Sequence, residues 1–256
     1  MKLAVFSDVH GNLPALEVVK ADIEAHQPDL IWCLGDLASH GTRPAECVRT
    51  IQTWREAFGK DKFHVIGGNT DRYLVTGERF RLSPATDEAE FNQQLAIRKE
   101  FDTIFNWGFS QISWDDYQFI AKRIGREVSH YVEGFGWVIG YHAVPGNDES
   151  FLTPQTPDEE VAEFLLDREG KLAIGAHIHR QMDKTVRGWR VVNCGSVGAS
   201  ADMAGNAQWG LFTFADDGVV DVSLKALPFD VDGIIEDAQA LDFPLVDWLA
   251  KRLRDE

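Results

Sequence analysis

Three short apolar runs open the chain, and each ends on a small group of polar residues. Leu3 to Ser7 leads into Asp8-Val9-His10, Asp29 to Leu34 into Gly35-Asp36, and Phe63 to Ile66 into Gly67-Gly68-Asn69-Thr70-Asp71. Such short, continuously apolar runs fit strands covered on both faces, as in parallel sheets. Helical patterns lie between them. Asn12 can cap the first helix, with Pro14 harmless in its opening turn and Leu13, Leu16, Val19 and Ile23 along one face. Thr42 can cap the second, with Val48, Ile51 and Phe58 inward. Strands joined by helical crossovers imply a mostly parallel sheet with right-handed connections.

From about 76 to 125 the pattern turns helical and polar, with Phe91, Leu95, Phe101 and Phe105 near helical spacing and Trp107, Phe109 and Trp114 after them. This reads as an insertion of two or three helices whose aromatics form a small core of their own; the sharper alternative puts one or two in a substrate pocket. Strand patterns return at Val128 to Val132 and Trp137 to Tyr141. Thr156-Pro157-Asp158-Glu159 has the form of a capping box opening a helix. Later short strands, with Gly188 and Asp217-Gly218 at turns, predict antiparallel hairpins. A last helix begins near Asp242-Phe243-Pro244 with Leu245, Leu249 and Leu253 on one face. The expectation is one domain over residues 1–256, carrying a cap-like insertion.

Charge narrows the partners. With 25 Lys and Arg against 41 Asp and Glu, the chain carries −16, which argues against an extended nucleic-acid surface. A small phosphorylated ligand, nucleotide-like included, remains compatible if cations at a metal site supply the positive charge locally. Cys33, Cys47 and Cys194 form no CxxC pattern, so neither a disulfide framework nor a thiolate zinc site is expected. The opening apolar run is too short for a signal segment and no stretch approaches a membrane span. A cytoplasmic protein without membrane contact is expected, its oligomeric state open.

The polar groups at the strand ends share a chemistry. Asp8, His10, Asp36, Asn69, His142, His177 and His179 offer oxygen and imidazole donors and no thiolate. That set suits manganese, iron, zinc, nickel or cobalt, with manganese first, rather than a soft copper site. Seven donors exceed the needs of one tetrahedral ion and fit two ions sharing a carboxylate. Each fragment alone is commonplace: an Asp-x-His or His-x-His pair is usually a surface or capping feature, and Gly-Asp a turn. The weight lies in five fragments recurring in order, each where a strand should end, because carboxyl ends of parallel strands form the ligand-binding edge. His40, in Ser39-His40-Gly41, lies soon after Asp36 and is the remaining histidine of interest.

Asp8-x-His10, Gly35-Asp36, Gly68-Asn69, His142 and Gly175-x-His177-x-His179 resemble the ordered motifs of calcineurin-like metallophosphoesterases. His10-Gly11-Asn12-Leu13-Pro14-Ala15-Leu16 and Asn193-Cys194-Gly195-Ser196-Val197-Gly198 resemble the small bacterial phosphodiesterase branch, the former also its diadenosine-tetraphosphatase-related neighbours. The resemblance implies a four-layer αββα sandwich of two mixed sheets. It implies that Asp8, His10, Asp36 and His179 hold one divalent ion, and Asp36, Asn69, His142 and His177 a second. A hydroxide bridging the ions would then attack phosphorus, with Asp36, Asn69, Asp71 and His40 as the catalytic candidates.

One departure stands out. Many family members carry His after Gly-Asn, where this chain has Thr70, and Thr has no pKa suited to general-acid work near neutrality. Either the substrate has a good leaving group or another residue, His40 for instance, serves. The leading expectation is a phosphodiesterase. Protein phosphatase, dinucleoside polyphosphate hydrolase, and a non-catalytic metal-containing binding module of the same fold are the alternatives.

Overall fold

The opening runs become the central strands. In the computed structural model, which describes residues 1–254, β1 (Lys2–Phe6), β2 (Leu30–Cys33) and β3 (Phe63–Val65) pair in parallel, with α1 (Leu13–His26) and α2 (Pro44–Phe58) as crossovers. The chain continues through α3 (Asn69–Thr76), α4 (Glu88–Gln111) and α5 (Trp114–Ala121) to β4 (Val128–Val132) and β5 (Gly136–Gly140). Then come α6 (Asp158–Phe164), β6 (Leu172–Gly175), β7 (Gln181–Val186) and β8 (Trp189–Cys194). The last elements are β9 (Asn206–Phe214), β10 (Val220–Pro228), α7 (Val231–Ala240) and α8 (Val246–Arg254).

The strands form two mixed sheets, in the orders β10-β9-β1-β2-β3 and β4-β5-β6-β8-β7. The expected antiparallel hairpins are β4–β5, β7–β8 and β9–β10. Alternation along β1 and β2 explains the layering, since successive side chains leave a strand on opposite faces. Leu3, Val5 and Trp32 meet Val138, Leu172, Ile174 and Val192 of the second sheet. Ala4, Phe6, Ile31 and Cys33 instead meet the apolar faces of α1 and α2. On the far side, Ile139, Ala173 and Val191 pack on Val161 and Leu165 at α6. The result is the αββα sandwich.

Asn12 caps α1 as expected, accepting the Ala15 N–H at 3.2 Å. Two other caps fail because their hydroxyls are engaged elsewhere. Thr42 Oγ1 donates to Asp237 at 3.0 Å, and α2 starts after Arg43 without a side-chain cap. Thr156 Oγ1 accepts the Thr153 N–H at 2.9 Å, and α6 starts after Pro157, uncapped. The insertion's aromatics also form no separate core. Ile104 and Phe105 are buried, Phe105 within the main core beside Tyr73 and Leu74, while Phe91, Phe109 and Trp114 are exposed. The C-terminal end comprises two helices, α7 and α8, packed through Ile234, Ala238, Leu249 and Leu253.

Candidate metal centre

Each opening strand delivers its polar group to one edge of the sandwich, and the backbone there is constrained. Asp8, His10, Asp36, His40, His177 and His179 have φ between 50° and 79°, the left-handed region. Such a conformation costs a non-glycine residue roughly 1–3 kcal/mol and persists only where its surroundings dictate it. Those surroundings are hydrogen-bonded loops. Asp8 N–H donates to Gly35 O and His10 N–H to Asp36 O, both at 2.9 Å. The Asn193–Gly198 segment braces the first loop: Ser196 Oγ donates to Asp8 O at 3.0 Å and Gly198 N–H to the same oxygen at 2.8 Å. A Cβ at Gly198 would stand 2.1 Å from Val9 O, and one at Gly68 2.2 Å from Asp36 Oδ1. Glycine is therefore required at Gly198, where the obstacle is backbone, whereas at Gly68 a Cβ would displace the Asp36 and His142 side chains.

Five of the expected ligands converge. One ligand atom each from Asp8, His10 and His179 lies within 4.8 Å of the others, and the same holds for Asp8, Asp36 and His142. His10 Nε2 is 2.9 Å from His179 Nε2 and 3.7 Å from Asp36 Oδ2. His142 Nε2 is 3.0 Å from Asn69 Oδ1 and 3.5 Å from Asp36 Oδ2, which brings in Asn69 at the start of α3. His177 sits at the margin. Its backbone N–H donates to Asp8 Oδ2 at 3.1 Å, its ring is 5.2 Å from that of His142, and it belongs to neither ligand group.

The hydrogen-bond chemistry tests whether these residues fit a cation. His142 Nδ1 lies 2.8 Å from Leu34 O and His179 Nδ1 2.7 Å from Ala199 O. A carbonyl only accepts, so both Nδ1 atoms carry hydrogen, and a ring without a second proton turns a bare Nε2 lone pair toward the cluster. There His142 Nε2 meets Asn69 Oδ1, a hydrogen bond while the ring is protonated and acceptor against acceptor once it is neutral. Asp8 Oδ1 and His177 Nε2 are buried without any hydrogen-bond partner among the described residues. Lone pairs facing lone pairs need a proton or a metal ion between them.

Protons fit this cluster unevenly. Burial by itself raises Asp8, but His179, with weaker help from His142 and His177, overrides it and lowers the carboxyl to about 2. Burial by itself lowers His142, but Asp36 overrides it and lifts the imidazole to about 10. His177 has no sufficient counterweight, and burial followed by His142 pushes it to about 4. His10 is held well below the usual imidazole range by burial, then His179 and His40. An ionised Asp8 beside His10 and His177, which resist protonation, matches a divalent cation, which would stand in for the proton that His142 holds next to Asp36.

The two remaining candidates lie behind the cluster. Asp71 is buried, with both oxygens accepting backbone N–H bonds, and burial followed by Asp36 raises it to about 7. His40 Nδ1 is 3.0 Å from His10 Nδ1, the ring edge opposite the nitrogen facing the other ligands, and His40 Nε2 is buried without a partner among the described residues. Thr70 donates its backbone N–H to Asp36 Oδ1 at 2.9 Å.

Sequence reasoning missed the other side of the site. A cavity of about 880 Å3 opens over His10, Asp36 and His179 and is also lined by Trp248 and Arg252 of α8, Arg81, and Phe151. The Leu249 and Leu253 pattern identifies the inward stripe of α8. The Trp248-x-x-x-Arg252 spacing, which puts a second pair on one neighbouring face, was the available signal.

The family described as calcineurin-like phosphoesterase matches residues 1–181. An uncharacterized protein of Methanocaldococcus jannaschii is 25% identical over 268 residues, covering 98% of this chain and 96% of its own. Among solved structures, a metallophosphoesterase from Sphaerobacter thermophilus superposes with a TM-score of 0.71 at 20% identity, covering 99% of this chain and 98% of its own. A hypothetical protein from Pyrococcus horikoshii OT3 reaches 0.80 at 17% identity, covering 99% and 97%. These two establish a shared fold.

Proposed function

Because the chain belongs to the calcineurin-like phosphoesterase family, we propose that it is a hydrolase of phosphodiesters that works with two divalent metal ions. The observation carrying this reading is the set of donor atoms turned on one another: His10 Nε2 2.9 Å from His179 Nε2, His142 Nε2 between Asn69 Oδ1 and Asp36 Oδ2, and Asp8 Oδ1, unpartnered among the described residues. Asp8, His10, Asp36 and His179 would hold one ion; Asp36, Asn69, His142 and His177 the other. The mixed oxygen and imidazole donor set suits manganese, iron, zinc, nickel or cobalt, and manganese is the ion proposed. When bound, the ions supply Lewis acidity to phosphoryl oxygens and lower the pKa of the attacking water.

The chain's own residues fix that arrangement. The Leu34 and Ala199 carbonyls set the tautomers and ring orientations of His142 and His179. The N-terminus of α3 meets the Asp36 carboxylate through the Thr70 N–H, a favourable end of a helix for negative charge. His40 supports His10 through Nδ1, while its Nε2 is buried without a partner among the described residues at a ring that lines the cavity. Thr70 offers no titrating group. With no acid at position 70, a diester with a good leaving group is the substrate that needs least help.

A panel tests this reading: bis(4-nitrophenyl) phosphate, 4-nitrophenyl phosphate, a dinucleoside polyphosphate and a phosphopeptide, each with added manganese, zinc, cobalt or magnesium. The reading expects metal-dependent hydrolysis with the diester fastest. No hydrolysis of any member by protein loaded with metal refutes it.

A further inference from the structure

The wall of the cavity contributed by α8 lies beyond the residues matched by the family. The chain as a whole carries −16, yet outside the ligand cluster this cavity presents Arg81, Lys251 and Arg252 against the single carboxylate of Glu149. Glu149 is itself engaged by Arg72 and Tyr73. Local charge therefore favours an anion in a protein that elsewhere repels one.

Arg252 is the cation nearest the cluster. Its Nη2 stands 3.4 Å from His179 Nδ1, but that nitrogen already gives its hydrogen to Ala199 O and has no lone pair to offer. Arg252 Nε is buried with no partner among the described residues. The guanidinium lies 5.3 Å from the Trp248 ring centroid, one helical turn back, which holds it by a cation–π contact. A planar fork of donors without an acceptor among the described residues, beside the proposed metal ligands, matches phosphoryl oxygens.

The same wall is aromatic. Trp248 and Phe101 lie 5.6 and 5.9 Å from the His40 ring, and Phe80 packs 4.8 Å from Phe101. Phe80, Phe101 and Trp248 all line the cavity. The cavity, at about 880 Å3, is large for a bare phosphate and within the range of pockets that enclose small organic ligands.

We propose that α8 reads the substrate: Arg252 binds its phosphoryl oxygens, and the wall of Trp248, Phe101 and Phe80 receives a flat aromatic group, so that the substrate is a phosphoester of a nucleoside or similar aryl-bearing alcohol. This rests on the phosphoesterase reading and names its substrate class. Stacking on such a wall tolerates many ring systems while rejecting a bare sugar.

The test is calorimetric titration of manganese-loaded protein with AMP, ribose 5-phosphate and inorganic phosphate. Wild type, Arg252→Met, Arg252→Lys and Trp248→Leu are compared, with metal content and hydrolysis measured on the same samples. Wild type should bind AMP at least about fivefold more tightly than ribose 5-phosphate. Arg252→Met should weaken all three ligands by about tenfold or more, with Arg252→Lys in between and metal content unchanged. Trp248→Leu should weaken AMP most, and ribose 5-phosphate and phosphate less, because it removes both the stacking surface and the ring that holds Arg252. Unaltered binding in Arg252→Met, or equal binding of AMP and ribose 5-phosphate by wild type, overturns the proposal. A wild type that hydrolyses no phosphoester but binds AMP through Arg252 refutes the phosphoesterase reading and supports the role of α8. A wild type that hydrolyses phosphodiesters while Arg252→Met keeps its KM does the reverse.

Discussion

Asp71 holds the backbone of Asp36: its Oδ2 accepts the Asp36 N–H at 2.8 Å and the Gly68 N–H at 3.1 Å, while its Oδ1 accepts the Leu37 N–H at 2.9 Å. One buried carboxylate thus ties the loop after β2 to the loop after β3, and these loops carry Asp36 and Asn69. The proposed ligands depend on a residue that reaches none of them from the cavity.

Asp71→Asn should act as a positioning defect. The amide turns a donor toward backbone N–H groups and leaves at least one buried donor unpaired, costing about 1–3 kcal/mol. Urea unfolding and metal analysis check it together. We expect lower stability and reduced metal occupancy; unchanged values of both would mean that the loops hold their shape without Asp71.

Gly68→Ala should strike the centre directly. The new Cβ would stand 2.2 Å from Asp36 Oδ1 and 2.5 Å from His142 Cε1, so these side chains must move. Metal content should fall while far-ultraviolet circular dichroism stays that of wild type. Full metal occupancy would show that the loop yields instead of the ligands.

Much of this edge was legible in the sequence, and the reasons are physical. Runs such as Leu3 to Phe6 and Ile31 to Leu34 are apolar throughout because both faces are covered. The residues following them must then stand at a sheet edge. Other features depended on distant partners. Thr42 and Thr156 have good capping chemistry, but their hydroxyls bond to Asp237 and Thr153. Helical spacing marked Phe101 and Phe105 as one apolar stripe without telling which core would receive it. Phe105 enters the main core and Phe101 lines the cavity. Arg252 was hidden for the same reason: its neighbours Leu249 and Leu253 announce the buried stripe of α8, and only the tertiary packing brings its guanidinium to His179.

Single-histidine variants should separate the two proposed ions. His142→Ala and His177→Ala should deplete the second ion more than the first, and His10→Ala and His179→Ala the first more than the second. Asp8 stands within reach of both geometric groups but is assigned to the first ion, so Asp8→Ala should deplete the first more than the second. Anomalous scattering from crystals of each variant reads the occupancies. Equal loss of both ions in all four histidine variants would contradict the partition.

Removing metal should cost stability without unfolding the sandwich, because the apolar core is formed by side chains away from this edge. At free manganese about 100 times its dissociation constant, each ion adds about 2.7 kcal/mol. For a chain of this size that corresponds to a rise in Tm of roughly 5–10 °C per ion over chelator-treated protein. Differential scanning calorimetry checks it, and an identical Tm with and without manganese would argue against a resident ion.

The central claim is tested most directly by counting metal ions per chain and measuring phosphodiester hydrolysis on the same preparations of wild type and Asp36→Asn. Asp36 stands among His10, His142 and the N-terminus of α3, where it would be shared between both ions. Wild type should hold two divalent ions and hydrolyse the diester, and Asp36→Asn should retain its fold, hold fewer ions and lose hydrolysis. Full activity with undiminished metal stoichiometry in Asp36→Asn would contradict the account.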